Sequence, residues 1–399
     1  MQSTRYNKLN FKCLTIALSL LFSIASLSTA FANPEHPENT TDHSATAQHD
    51  EKAGHDAKGG HDAAKGHGEE KFNAGTMILE HIGDAHDWHI ADWKGHPVSI
   101  SLPVIIYSAD KGLLFFSSSK FEHGHATYEG FKLNEKNKIE AVNADGSINH
   151  EATFYDLSIT KNVVSLFVSL LLMCIIFISV ARAYTRKGNK APSGLQNGVE
   201  AMIVFIRDEV AKPSIGPKYA KYMPYLLMIF FFIWINNLMG LIPIAPFGAN
   251  LTGNIAVTLV LALLTFIITL ASSNKYFWQH IFAMPGVPKP VLIILVPIEI
   301  MGLFLKPIVL TLRLFANITA GHIIALAFFS LIFIFGALNQ YIGLGVSVLS
   351  VAFTIFMMFM ELLVAFLQAY VFTLLSAIYI GGAVEEHHHD EHHEHAHAH

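Results

Sequence analysis

Six residues able to carry charge or pass a proton stand in the most apolar part of this chain: Glu299, Arg313, Asn317, His322, Glu361 and Gln368. Arg313 makes the strongest demand. Its neighbours are almost all Leu, Ile, Val, Phe and Ala, and no acid lies within ten positions on either side. An arginine at the centre of a bilayer costs about 2.5–3.5 kcal/mol even on the lenient insertion scale, so it is a functional candidate by default. Its guanidinium keeps its proton, and a permanent cation in a low dielectric draws a carboxylate strongly. With no local acid, the partner is expected from elsewhere. The plainer alternative is an arginine that snorkels to the interface beside Lys306.

The other five are placed by treating the last two apolar segments as an antiparallel hairpin that turns near residue 341. Arg313 then comes level with Gln368, and His322 with Glu361, the second pair about two and a half helical turns nearer the outer face. Asn317 is one turn from Arg313, and Glu299 returns to nearly the same face some four turns inward. A histidine beside a carboxylate hands protons on near neutral pH. The same pair also suits a structural role, holding the hairpin in register, and Asn317 and Gln368 suit plain amide bonds between helices.

The elements that position these residues read as membrane helices. The chain has 399 residues, 52% hydrophobic and 14% charged, and the charge is concentrated in the first third. No Asp, Glu, Lys or Arg occurs from Met223 to Ser273, and none between Arg313 and Glu361. Each stretch exceeds the roughly 20 apolar residues of one helical span. The first span is expected over 163–181; the basic group Arg182, Arg186, Lys187 and Lys190 after it marks the cytoplasmic side. An amphipathic helix at the inner surface is expected near 195–210. The stretch "GLIPIAPFGANLTG" marks a turn between two spans, and "KYFWQHIFAMPGVPKP" looks interfacial. The last two segments, 291–335 and 346–380, are too long to stand upright and are expected to be steeply tilted or broken, Pro297 and Pro307 permitting bends. The fold class is an all-α polytopic membrane protein of about five crossings with a long C-terminal hairpin, its N-terminus outside and its C-terminus inside.

Ahead of this membrane domain, taken as 158–383, residues 1–32 have the charged start, apolar run and small-residue site of a signal peptide. Residues 33–74 form a His-rich extension too polar to fold alone. Residues 75–157 contain β-like runs, "VSISLPVIIYS" and "GLLFFSSS", and read as a small exported β-containing segment. Residues 384–399 form a His- and acid-rich cytoplasmic tail. The net charge of −5 offers no basic patch for nucleic acid, and cysteine usage suggests neither disulfides nor a thiol site.

The stretches "KPIVLTLRLFANITAGH", "ELLVAFLQAY" and "NNLMGLIP" together resemble the a subunit of F-type ATP synthases over roughly residues 160–382. The resemblance implies that Arg313 is the arginine that faces the carboxylates of a rotating ring of small two-helix c subunits. Asn317 and Gln368 match polar positions beside it, and Glu299 matches the acid of the inner half-channel. His322 and Glu361 match a pair that many members carry in the opposite order, acid first. Ala316 replaces a glycine often found there, and Gly253 stands where many members have an acid. The resemblance further implies a bacterial inner-membrane subunit, in contact with the lipid bilayer and a peripheral-stalk b subunit, that moves protons without a nucleotide site, metal or cofactor of its own.

Two rival functions fit the sequence less well. The 23 histidines suggest a metal transporter, but only His280 and His322 fall in the membrane portion, too few for a transition-metal relay. A haem-bearing electron carrier would want paired intramembrane histidines, and His280 is interfacial.

Overall fold

Alternate residues are buried over 103–108 and half-buried over 112–117, and this period of two builds the centre of a small β unit. The computed structural model describes residues 74–93, 96–134, 137–143, 145–187, 191–242, 247–284 and 286–385. The expected signal peptide, the His-rich extension up to residue 73 and the tail beyond residue 385 lie outside these. The β unit begins with a helix, α1 (Ala74–Ile82), which the β-like runs of this segment do not indicate. Seven strands follow: β1 (Asp87–Trp93), β2 (His96–Ser101), β3 (Pro103–Ser108), β4 (Gly112–Ser117), β5 (Phe131–Leu133), β6 (Ile139–Ala141) and β7 (Phe154–Asp156). They pair antiparallel as β1-β2, β4-β3-β7 and β5-β6. The β-like run "VSISLPVIIYS" is divided between β2 and β3 at Leu102. There the backbone N–H donates to His86 O and Ser118 Oγ, and Pro103 has no N–H to continue the ladder. Val104, Ile106, Phe121, Phe131, Leu133, Ile139 and Ala141 form the core of the unit.

A buried histidine ties this unit together. His86 Nδ1 lies 2.9 Å from Asn137 O and Nε2 lies 3.2 Å from Asp156 Oδ2. Both partners are acceptors, so the ring meets both as an imidazolium. Burial works against that charge, but the bond to Asp156 and its negative charge outweigh it, and the His86 pKa is raised. Burial likewise opposes the Asp156 carboxylate, and the His86 bond and charge outweigh it, so that pKa is lowered. The raised His86 value makes its contribution complete below the ordinary 6.5 and lost as pH rises through the folded value. The lowered Asp156 value makes its contribution complete above 3.8 and lost only as pH falls through the folded value. Protection of the β3 and β7 amides from hydrogen exchange in the whole protein is therefore expected to be greatest between about pH 4 and 6.5 and to weaken toward pH 9. In His86→Phe the alkaline weakening should disappear; an unchanged pH profile would refute the imidazolium.

Asp84 joins the unit to the membrane domain. Its carboxylate accepts from Thr160 Oγ1 at 2.8 Å and from the Asn162 N–H at 3.1 Å, one of the unpaired donors at the start of helix α2 (Lys161–Lys187). Next comes α3 (Leu195–Phe205), continued by a π turn (Ile206–Ala211) and α4 (Lys212–Ile215), and stopped by Gly216 at φ 71°. The amphipathic segment expected here is thus two short helices joined by a π turn. Helix α5 (Tyr219–Gly240) is the most enclosed element, with Leu226, Phe230 and Ile233 fully buried. Helix α6 (Ile255–Ala271), capped by Asn254 Oδ1 on Ala256 N, is followed by α7 (Lys275–Phe282), bent from it by 101°.

The hairpin is formed by α8 (Lys289–Leu338) and α9 (Gln340–Val384). Helix α8 has 50 residues, about 75 Å at 1.5 Å each, and Pro297 and Pro307 lie inside it without breaking it. Asn339 makes the turn, its Oδ1 accepting from Tyr341 N, and the Phe328 and Phe353 rings stack across the hairpin at 5.2 Å. Helix α1 of the β unit packs against α8. Alternating chain direction puts the start of α2, the end of α5, the start of α6 and the hairpin turn at the end of the membrane domain that carries the β unit. At the opposite end, Asn274 ties down α9 by donating from its backbone N–H to Ala383 O and from its side chain to Val384 O, both at 2.9 Å. Among the described residues four helices are long and apolar enough to cross a membrane, or five if the bent α6–α7 pair is one span.

Gly381 marks a tight crossing there. A Cβ at this position would collide with Ser214 O, a backbone atom that a side-chain rotation cannot move. Gly381→Val is expected to destabilise the fold by about 1–3 kcal/mol or more, seen as a lower melting temperature in detergent; a wild-type value would show that α4 yields.

Candidate functional site

The long hairpin brings His322 of α8 to Glu361 of α9, with Nδ1 3.3 Å from Oε1 and both side chains largely buried. The approach is within ion-pair range but is not aligned as a hydrogen bond, and Glu361 Oε1 has no hydrogen-bond partner among the described residues. Two glycines make room for the pair. A Cβ on Gly321 would stand 3.3 Å from Glu361 Oε1, and a Cβ on Gly240 would stand 3.6 Å from His322 Nε2. The pair thus sits where α5, α8 and α9 meet. An imidazole and a carboxylate so placed in an apolar wall have the chemistry to exchange a proton once they align.

Amides and hydroxyls surround this point on the side of the β unit. Asn237 donates to Ala365 O at 3.0 Å and accepts from Thr252 Oγ1 at 2.6 Å, which fixes the α5–α6 loop to α9. Thr319 Oγ1 donates to Gly253 O at 3.4 Å. Asn250 Oδ1 accepts from Gly253 N at 2.9 Å, and a Cβ on Gly253 would collide with the Asn250 side chain. A larger residue at Gly253, an acid included, would therefore require the Asn250 side chain to move.

Arg313 and Asn317 lie on the exposed face of α8, among Phe304, Leu305, Ile308, Val309 and Leu312, which are exposed as well. No carboxylate of the described residues pairs with Arg313. Tyr379 of α9 is within its electrostatic reach, and the Tyr379 ring also lies under Lys306 Nζ at 5.4 Å. Gln368 is buried on α9, and no hydrogen bond joins it to Arg313 among the described residues. Glu299 is half-buried on α8 toward the opposite end. A narrow pocket between α6, α8 and α9 lies on that side, lined by Thr265, Thr269, Lys306 and Tyr379. Of the six residues singled out in the sequence, the structure therefore joins two, His322 and Glu361, and sets the others along the same hairpin.

Asn237, Thr252, Gly240 and Gly321 were not assigned roles from the sequence. The signal for the first was present, since an amide pair in the charge-free stretch from Met223 to Ser273 needs partners. No sequence signal distinguishes the two glycines, because what matters is the side chain each one faces. Among the described residues no group of three or more His, Cys, Asp and Glu is placed to hold a metal ion.

Comparison with known proteins gives the family. Residues 163–381 match the model of the family described as ATP synthase A chain, and residues 77–159 match one described as Domain of unknown function (DUF8433). A curated relative named ATP synthase subunit a 2, from Chlorobaculum tepidum, is 49% identical over 249 residues, 61% of this chain and 67% of the relative. ATP synthase subunit a of Chlorobium phaeobacteroides is 47% identical over 60% of this chain and 68% of its own. That of Chloroherpeton thalassium is 45% identical over 61% and 72%.

Proposed function

This chain belongs to the ATP synthase A chain family, as a multi-pass subunit of the membrane sector, and from that premise we propose that it forms two offset proton half-channels beside a rotating ring of c subunits. The observation that carries the reading is Arg313, a permanent cation on the exposed apolar face of α8 with no acid of its own among the described residues. A ring carboxylate brought opposite it is favoured in its ionised form and gives up its proton. The fixed positive charge also opposes a proton passing straight from one half-channel to the other.

The β unit is exported in this reading, so its end of the membrane domain is the outer one. Protons enter past His322 and Glu361, protonate a ring site, and leave on the Glu299 side after nearly a full rotation. Asn317 and Gln368 flank Arg313 as neutral hydrogen-bonding groups. The exposed apolar faces of α8 and α9, with Phe304, Ile308, Phe356, Phe359 and Leu363, are a surface for the ring and for lipid, and a peripheral-stalk b subunit completes the stator in a bacterial inner membrane. Purification of the chain in mild detergent is expected to bring with it a ring of small two-helix proteins. An ATP synthase complex isolated from the same membranes without this chain would overturn the assignment.

A further inference from the structure

The sheet β4-β3-β7 is apolar on both faces. Its inner face, with Val104, Ile106 and Phe116, covers the core of the β unit. An antiparallel sheet commonly turns polar residues outward on its second face. Here the second face carries Ile105, Tyr107, Leu113, Phe115, Tyr155 and Leu157, with Phe115 72% exposed, Leu113 66% and Tyr155 63%. The register joins them into one patch. Phe115 lies opposite Ile105, Leu113 and Tyr155 lie on either side of Tyr107, and the Leu157 N–H donates to Ile105 O. None of the six is charged. A contiguous exposed patch of this kind marks an interaction surface.

The patch is graded along the strands. Toward α2 it continues through Ile159, whose N–H donates to Pro103 O and which stands two residues before the helix begins. Ser117 Oγ, at the edge of that end, accepts from the Ser119 N–H. At about 3.3 Å per residue, Leu157 is at most roughly 13 Å from Lys161. The row nearest this end, Phe115, Ile105 and Leu157, is pure hydrocarbon. The next, Leu113, Tyr107 and Tyr155, adds two phenol hydroxyls, and the β3–β4 turn beyond it carries the exposed charges of Asp110 and Lys111. A bilayer surface has the same order: acyl chains, then an interface enriched in Tyr, then water. A protein partner places no such demand on the order of the rows. The unit is also held at two points of the membrane domain, by Asp84 at the start of α2 and by α1 against α8, which fixes the level of the patch relative to the span.

We propose that this face of the β unit rests on the bilayer surface around the start of α2, with Phe115, Ile105 and Leu157 among headgroups and upper acyl chains and Tyr107 and Tyr155 at the water boundary. The occupant of the face is lipid. Because the six side chains carry no charge, the docking follows apolar contact and does not depend on anionic headgroups. The inference rests on α2 being a membrane span and is independent of the half-channel reading.

The test uses the assembled complex in vesicles, with Cys13 and Cys174 replaced by serine and a nitroxide attached to Phe115→Cys, Tyr155→Cys, Leu171→Cys or Lys120→Cys. Leu171 is exposed on α2, and Lys120, whose Nζ lies over the Tyr128 ring, is exposed on the core side of the sheet. Relaxation of each label by oxygen, which concentrates in acyl chains, is compared with relaxation by a neutral nickel chelate that stays in water. The oxygen-to-nickel ratio at residue 115 is expected to exceed that at 120 several-fold and to lie below that at 171, in vesicles with and without anionic lipid. Residue 155, one row farther out, is expected to fall between 115 and 120; a ratio above that of 115 would overturn the graded placement. A label at 115 sheltered from both reagents would put a protein in the place of lipid, and one as open to nickel as 120 would show a bare face. Either result overturns the proposal, and a high ratio at 171 would leave the span standing. A low ratio at 171 would overturn the span and the proposal with it.

Discussion

Arg313→Ala is expected to abolish ATP-driven proton pumping while the complex still assembles. The side chain is exposed on α8 and pairs with no acid of the described residues, so its removal leaves no buried carboxylate behind and opens no core cavity. In the proposed mechanism, what is lost is the fixed charge that meets the ring carboxylates. A ring site then keeps its proton as it passes, because a carboxylic acid in an apolar setting favours the neutral form. Arg313→Lys is expected to restore little, since an ammonium in a low dielectric can release its proton and a guanidinium cannot. The measurement is dye quenching in inverted vesicles, with ring content checked in the same preparation. Normal quenching by assembled Arg313→Ala would remove Arg313 from the mechanism.

The hairpin was legible because charge-free runs far longer than one span admit few alternatives, and because an arginine, a histidine and two acids stand out against Leu and Phe. Their mutual level followed from helical rise and a turn near residue 341; the structure turns at Asn339 and sets His322 against Glu361. The rest depended on partners distant in sequence. Nothing local marks Gly381 as the point where α9 meets Ser214, or Gly321 as the residue that leaves space for Glu361. Nothing in the β-like run "VSISLPVIIYS" shows that it divides at Leu102, whose N–H Ser118 and His86 claim. Helix α1 was missed because a nine-residue apolar segment fits helix and strand alike. Arg313 itself was legible by a negative feature, the lack of any nearby acid, and the structure retains that feature after folding.

The second large effect concerns the order of the acid and the histidine. In this chain the histidine is on α8 and the acid on α9, the reverse of the order that the resemblance associates with many members. If the pair acts as two proton carriers in contact, its function depends on one of each kind being present and not on which helix carries which. His322→Glu alone sets two carboxylates at the 3.3 Å separation of the present pair, where both cannot ionise together. Glu361→His alone sets two imidazoles there, with no acid to take up an incoming proton. Each single variant is expected to lower pumping about 10²-fold, within the range for loss of one positioned proton-transfer group. The double variant, His322→Glu with Glu361→His, is expected to recover to within about tenfold of the starting rate. Space permits the exchange, because Gly240 and Gly321 present no side chain toward either position. Adding Gly321→Ala to the double variant should cancel the recovery, since its Cβ would press on the imidazole now at position 361. A double variant no better than the worse single one would show that the direction of hand-over is built into the site, with the α9 acid required as the group that meets incoming protons.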